Sequence, residues 1–136
     1  MKIVIIDGQG GGVGKKLVEG LRAALPQAEL VAVGTNSIAT AAMLRAGATA
    51  GATGENATVV NCRDADVITG PLGIVLADAM YGEITPEMAW AVARSGAQRV
   101  LVPVEKCRTH VAGLPEKTMA GLIGDAVSQI VRLCRE

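Results

Sequence analysis

A glycine-rich segment near the start of the chain carries the residues best suited to chemistry. It consists of Asp7, Gly8, Gln9, Gly10, Gly11, Gly12, Val13 and Gly14, and Lys15 follows directly. A run of glycines lets backbone N–H groups converge on an anion, and the N-terminus of a following helix adds partial positive charge. The lysine supplies a further charge. The segment therefore predicts a binding site for a phosphate-bearing ligand, with a nucleotide or dinucleotide as candidate cofactor.

Two known glycine motifs come close to this segment without matching it. The dinucleotide motif needs Gly at its first, third and sixth positions, and counted from Gly8 the sixth position is Val13. In the phosphate loop of ATPases, Gln9 would stand at the first glycine and Lys16 at the magnesium-binding hydroxyl residue. A tight strand-to-helix turn without a ligand is the alternative that these residues allow. The segment favours phosphate binding but selects neither NAD nor ATP.

Asp7 ends the first predicted strand, where its carboxylate would face the loop. It could bind a divalent metal beside the ligand, or accept hydrogen bonds from loop N–H groups and so hold the loop together. We favour the structural role, and we predict no metal site.

Three further short segments are predicted to border the same cleft. Thr35, Asn36 and Ser37 follow the second strand, in place of the acid typical of NAD sites or the arginine typical of NADP sites. They could contact a sugar or phosphate, although a turn and a helix cap explain them slightly better. Gly70 and Pro71 end another strand. The glycine-rich segment 47–56 is either a loop that closes over a ligand or a mobile surface loop.

Cys107 lies between Lys106 and Arg108, two cations that could lower the pKa of its thiol and make it a nucleophile. The sequence shows no base beside it, so an ordinary, partly buried cysteine is the favoured interpretation. His110, the only histidine, is interpreted as a strand or surface residue. No catalytic residue is predicted.

Trp90 falls on the polar face of its predicted helix, between Glu87 and Arg94. A large aromatic side chain in such a place is typical of an interface. We therefore expect a homo-oligomer contact at Trp90, with Tyr81 nearby as a second candidate. Simple exposure to solvent is the alternative.

Short apolar runs alternate with helical patterns along the whole chain, which predicts a parallel α/β fold. The predicted strands cover residues 2–6, 29–33, 58–61, 66–69 and 99–104, with a short one at 109–112, and the predicted helices cover residues 12–25, 38–46, 72–80, 85–96 and 116–135. Ser37 is expected to cap the second helix and Thr85 the fourth. The expected architecture is one domain over residues 1–136, a three-layer Rossmann-like sandwich with a mostly parallel sheet of five or six strands.

Composition narrows the class of protein further. Lys plus Arg and Asp plus Glu both number 13, so the net charge is zero, and aromatic residues make up only 1% of the chain. Both features argue against nucleic-acid binding. The sequence has no apolar run long enough to span a membrane, its first residues are not expected to form a signal peptide, and its three cysteines form no CxxC pair. A cytoplasmic location is expected.

Several segments together resemble a bacterial family of unknown function whose members are small, single-domain proteins common in anaerobic firmicutes. The matching segments are residues 6–14, 34–40, 51–57, 70–71 and 82–86. The resemblance implies a self-contained domain and brings no established activity.

Three hypotheses follow from the sequence. The first is binding of a nucleotide or other phosphorylated small molecule at the glycine loop. The second is a small transferase or oxidoreductase whose site is completed at an oligomer interface. The third is a non-catalytic assembly or regulatory module.

Overall fold

The protein has one five-stranded parallel sheet with helices on both faces. A computed structural model describes residues 1–104 and 108–136. In chain order the elements are β1 Lys2–Asp7, α1 Gly12–Ala24, β2 Glu29–Gly34, α2 Ser37–Arg45, β3 Ala50–Thr53, α3 Glu55–Cys62, β4 Val67–Pro71, a 3₁₀ helix Leu72–Val75, α4 Pro86–Arg94, β5 Gln98–Val102 and α5 Met119–Arg135. The strand order is β3-β2-β1-β4-β5, and every neighbouring pair is parallel. The predicted fold class is confirmed.

Side chains from alternate positions of β1 build the core on both faces of the sheet. Ile3 and Ile5 pack towards α1 and α5, whereas Val4 and Ile6 pack towards α3 and α4. All four are fully buried. A parallel strand covered on both faces must be apolar throughout, which explains the uninterrupted run of β-branched residues.

The predicted strand over residues 58–61 is wrong, because these residues belong to helix α3. Thr58 and Val59 are β-branched and favour strands in isolation. In the folded chain the Thr58 hydroxyl donates to the Gly54 carbonyl at 3.1 Å, and the Asn61 amide donates to the Ala57 carbonyl at 2.8 Å. Thr58 and Cys62 are buried, so tertiary packing of this helix face overrides strand propensity.

The predicted helix over residues 72–80 is also wrong. Only Leu72–Val75 is helical, as a short 3₁₀ turn. The chain then passes through left-handed backbone conformations at Asp78, Met80 and Tyr81, with φ values of 65°, 58° and 57°. Such values cannot continue a right-handed helix. This stretch becomes an irregular turn that leads to α4.

The glycine-rich segment 47–56 is not a loop throughout, because its central residues form edge strand β3. A Cβ on Gly51 would lie 2.9 Å from Leu44 Cγ and 3.0 Å from Thr40 Cγ2. The small residues therefore let α2 pack closely over this strand. The short strand predicted at residues 109–112 is absent from the structure of these residues, which are turn and irregular backbone.

Candidate functional site: the glycine loop

A cavity of about 190 Å³ lies at the carboxyl ends of β1 and β4. It is lined by Asp7, Gly8, Gln9, Gly10, Gly11, Gly12, Val13, Pro71, Gly73, Met80 and Val104. The strand order reverses between β1 and β4, and ligands of open α/β sheets bind at such a switch point. The structure therefore brings the glycine loop and Pro71 to one cavity, at the place where this fold binds small molecules.

The carboxylate of Asp7 holds the glycine loop against the start of α1. Its Oδ1 accepts a hydrogen bond from the Gly8 N–H at 2.8 Å, and its Oδ2 accepts one from the Gly14 N–H at 2.7 Å. The residue is 4% exposed. These two bonds confirm the structural role that the sequence favoured for Asp7.

Three of the loop glycines are required by their surroundings. A Cβ on Gly8 would lie 2.6 Å from Thr35 Oγ1, and one on Gly14 would lie 2.9 Å from Asp7 Cβ. Gly11 has a φ of 73°, and its Cβ would approach the Ala39 backbone to 2.9 Å. These glycines serve the fold itself.

Gly10 and Gly12 have no such requirement. A Cβ at either position would meet no atom of the described chain within 4 Å, and neither backbone is left-handed. Both residues line the cavity. Their small size keeps space open beside the loop without contributing to packing.

Three backbone N–H groups at this cavity have no acceptor in residues 1–104 or 108–136. They belong to Gly10, Gly12 and Val13, whereas the Gly11 N–H donates to the Gly8 carbonyl at 2.9 Å. Gly12 and Val13 are the first two residues of α1, whose N-terminal N–H groups lack partners within the helix. These N–H donors and the partial positive charge at the N-terminus of α1 together favour binding of an anion.

A second group of contacts ties the loop to the end of β2 through Glu83, which sequence reasoning missed. Glu83 Oε1 accepts hydrogen bonds from the Gln9 N–H at 2.8 Å, the Thr35 hydroxyl at 2.5 Å and the Asn36 amide at 2.9 Å. Its partners lie 47 to 74 residues away in the chain, so no local pattern marks it. The Thr35 hydroxyl contributes most to lowering the pKa of the Glu83 carboxyl below its ordinary value, followed by the Gln9 N–H.

Asn36 forms the turn and cap that the sequence favoured for this segment. Its Oδ1 accepts a hydrogen bond from the Ala39 N–H at 2.9 Å, so Asn36 caps α2, and Ser37 is the first helical residue. The cap predicted at Ser37 is therefore one residue too late. Thr35 and Asn36 turn their polar groups to Glu83 and do not line the cavity.

Four other predicted site residues lie outside the cavity lining, namely Gly14, Lys15, Ser37 and Gly70. Lys15 and Ser37 are exposed. Gly70 is buried behind the site, where a Cβ would lie 2.2 Å from the Ile6 carbonyl oxygen. Gly70 thus permits close packing of β4 on β1, and only its neighbour Pro71 reaches the cavity.

A larger open basin of about 1130 Å³ adjoins the cavity and shares Gln9 and Met80 with it. Leu76, Tyr81 and Arg108 are among its other lining residues. Tyr81 is 99% exposed, on left-handed backbone. The basin offers room for the remainder of a ligand or for another protein chain.

Cys107, interpreted from the sequence as an ordinary, partly buried cysteine, and its neighbour Lys106 lie outside the described residues. His110 is exposed, in keeping with a surface residue. Burial raises the pKa of the Cys62 thiol to about 11, which makes it a poor nucleophile. Within residues 1–104 and 108–136, no group of three or more His, Cys, Asp or Glu residues is arranged to hold a metal ion.

Trp90 lies on the surface, in a groove between α3 and α4. Its side chain is 57% exposed, and the Arg94 guanidinium lies 4.3 Å from the ring centroid. Arg63 and Cys62 also line the groove. Tyr81 does not line this groove, so the two aromatic residues belong to different surface features.

A dodecameric FMN-dependent Ubix-like decarboxylase from Escherichia coli O157:H7 shares the fold of this chain. The two are 22% identical, the match covers 96% of this chain and 76% of the other, and the TM-score is 0.50. No curated protein sequence matches the chain. In the part of the chain that the structure describes, no helix has the length and apolar character needed to cross a membrane.

The sequence resemblance and the family comparison lead to the same group of proteins. The glycine loop, the Gly34–Asn36 turn and the Glu83 segment all fall within the matched region. The model of the family described as domain of unknown function DUF3842 matches residues 2–135, so the chain belongs to that family.

Proposed function

We propose that this protein binds a phosphate-bearing small molecule in the glycine-loop cavity. The observation that carries the proposal is the set of N–H groups of Gly10, Gly12 and Val13, which have no acceptor in the described residues and border one cavity. Gly10 and Gly12 are exposed and Val13 is partly buried, so these N–H groups are open to a ligand, and an oxyanion could accept hydrogen bonds from them.

The two sterically unconstrained glycines support the same proposal. A Cβ at Gly10 or Gly12 would meet no atom of the described chain within 4 Å, and both residues line the cavity. A glycine that packing does not require is explained by close approach of a ligand to the backbone.

Backbone amides rather than a lysine would carry the charge interaction. Lys15 lies in the first turn of α1 but is exposed and outside the cavity lining. The partial positive charge of the α1 N-terminus would compensate the charge of the ligand. A carboxylate without hydrogen-bond donors would repel a phosphate. The Asp7 carboxylate repels it less, because its two oxygens accept hydrogen bonds from the N–H groups of Gly8 and Gly14.

FMN and the nucleotides form the ligand set to test. The Escherichia coli protein with the same fold is named as FMN-dependent, and FMN carries a phosphate ester. The cavity of about 190 Å³ suits a phosphate group and its immediate neighbours, and the adjoining basin offers space for a ring system.

A thermal-unfolding screen with FMN, nucleoside monophosphates and dinucleotides tests the proposal. Saturation at roughly 100 times the dissociation constant should stabilise the protein by about 2.7 kcal/mol. We expect Gly12→Ala to abolish this gain while leaving the unliganded fold intact. Gly124→Ala on α5 is the matched control, since its Cβ also meets no atom within 4 Å but lies far along the chain from the loop. Unchanged ligand stabilisation in Gly12→Ala, or none in the wild type with any ligand, contradicts the proposal.

A small enzyme with a site completed by another subunit is the second candidate function. The open basin beside the glycine loop favours it, because a neighbouring chain placed there would enclose a ligand held at Gln9 and Met80. Ligand turnover that depends on protein concentration, and is lost on dilution, would favour this candidate over simple binding. We further propose a homo-oligomer and a cytoplasmic location, the latter in keeping with the free thiols of Cys62 and Cys134.

A further inference from the structure

The carboxylate of Glu83 lies at the end of β2, although it comes from the turn before α4. Thr35 and Asn36 directly follow β2, and both donate hydrogen bonds to Glu83 Oε1. The Gln9 N–H of the glycine loop donates to the same oxygen. Three donors from two loops thus fix the position of one carboxylate oxygen.

The second oxygen of this carboxylate is open to a further hydrogen-bond donor. Glu83 Oε2 has no hydrogen-bond partner in residues 1–104 or 108–136, and the residue is only partly buried. A glutamate carboxyl is ionised at neutral pH, and these hydrogen bonds lower its pKa further. An ionised oxygen held in place is a strong acceptor for hydroxyl groups.

Glu83 is not among the residues that line the cavity, but it lies against the glycine loop that does. A Cβ on Gly8 would lie 3.0 Å from Glu83 Oε1 and 2.7 Å from Met80 Sδ, and both Gly8 and Met80 line the cavity. In nucleotide-binding α/β folds, an acid at the end of the second strand accepts hydrogen bonds from ribose hydroxyls. Here that strand ends in Gly34 without an acid, and Glu83 places a carboxylate there from another part of the chain.

We propose that Glu83 selects the ligand by accepting hydrogen bonds from free vicinal hydroxyls on its sugar part. The inference rests on the proposed phosphate site and deepens it: the ligand is a phosphate ester of a polyhydroxylated sugar. Two sources share this chemistry, the ribose of a ribonucleotide and the ribityl chain of FMN.

Glu83→Gln is the matched substitution for a calorimetric test. Glutamine keeps a carbonyl oxygen for the three donors and replaces the open oxygen with an NH₂ group, which cannot accept. The probes are inorganic phosphate, the four common ribonucleoside monophosphates, the 2′,3′-dideoxy counterpart of the best of them, and FMN. Glu87→Gln on the exposed face of α4 is the control.

We expect the wild type to bind either a ribonucleotide or FMN. Glu83→Gln should weaken that binding about tenfold or more, which is the usual effect of losing a hydrogen bond to a charged group. If the source is a ribonucleotide, the wild type should also prefer it over the dideoxy form, without any variant being needed. Affinity for inorganic phosphate should stay unchanged in both proteins.

Equal or tighter sugar-phosphate binding by folded Glu83→Gln overturns this inference and leaves the phosphate site standing. If a ribonucleotide binds more tightly than FMN, but the wild type binds its dideoxy form with equal affinity, the inference is overturned as well. A wild type that binds inorganic phosphate but neither source overturns the sugar assignment alone. A wild type that binds none of the probes overturns both proposals.

Discussion

At the scale of single residues, the glycine loop contains glycines that packing requires and glycines that packing does not require. Gly8, Gly11 and Gly14 admit close contacts that a Cβ would disturb, whereas Gly10 and Gly12 face open space. Substitutions within this one short segment can therefore test the folding role separately from the proposed binding role. Gly14 gives the clearest test of the folding role, because Asp7 both crowds it and accepts its N–H.

We expect Gly14→Ala to destabilise the protein by about 1–3 kcal/mol, the usual cost of forcing an extra methyl into a packed site. The new Cβ would lie 2.9 Å from Asp7 Cβ and 2.5 Å from Met43 Sδ. Urea unfolding measures the loss. Gly124→Ala, in the open on α5, should instead be neutral or slightly stabilising. Equal stability of the two variants would show that the loop relaxes freely.

The contribution of Glu83 to stability should depend on pH. Its folded-state pKa is lowered from the ordinary value of 4.5, chiefly by the Thr35 hydroxyl, so folding favours the ionised form. The stabilisation is then complete above the unfolded-state pKa and is lost as pH falls through the folded-state pKa. Urea unfolding at about pH 7 and about pH 3 should show that the stability difference between wild type and Glu83→Gln is larger at the higher pH. A difference that is the same at both values contradicts this account, and Glu87→Gln is the exposed control.

At the scale of elements, the N-terminus of helix α4 lies where the sequence predicts it. Thr85 caps it, with its hydroxyl oxygen accepting a hydrogen bond from the Met88 N–H at 3.2 Å, and Pro86 occupies the first turn. The same hydroxyl donates to Glu55 Oε1 at 2.5 Å, which ties α4 to the start of α3.

Thr85→Ala should therefore cost about 0.5–2 kcal/mol of unfolding free energy, the range for a lost N-cap. Ser37→Ala is the control, because Asn36 caps α2 and Ser37 makes no capping bond. Thermal unfolding of both variants gives the comparison. A larger loss in Ser37→Ala would mean that the caps are assigned to the wrong residues.

The elements that sequence predicts well are those whose own residues decide their structure. Strand β1 is a continuous apolar run, and α5 repeats its buried residues, such as Ile123, Ala126 and Ile130, at helical spacing. Helix α3 escapes prediction because Thr58 and Val59 favour a strand locally and packing decides otherwise.

The candidate site divides in the same way. The glycine loop and Pro71 are local signals, and the strand order brings them together as expected. Glu83 meets Gln9 across 74 residues of chain, through a turn of left-handed backbone at Met80 and Tyr81. Only the tertiary structure reveals such a contact, because nothing in the neighbouring residues requires it.

At the scale of the whole molecule, two exposed aromatic residues mark surfaces suited to a second copy. Tyr81 is 99% exposed beside the open basin, and Trp90 is 57% exposed in the α3–α4 groove. Large aromatic side chains are enriched where proteins associate.

Sedimentation velocity tests whether the chain forms a homo-oligomer. We expect the wild type to sediment as an oligomer, and Tyr81→Ser or Trp90→Ala to shift it towards monomer, because buried aromatic anchors dominate association energies. Ile38→Ser removes a side chain that is 67% exposed on α2 and serves as the control. A monomeric wild type, or an assembly that tolerates both aromatic substitutions, would exclude these residues from an interface.

The position of Trp90 also determines what tryptophan fluorescence can measure in this protein. It is the only tryptophan, and it lies half in solvent under a guanidinium group rather than in either core. Its emission should already be red-shifted in the folded chain and should change little when the sheet unfolds. A blue shift would instead signal that something has covered the α3–α4 groove, so this indole acts as a natural reporter of contact with another molecule.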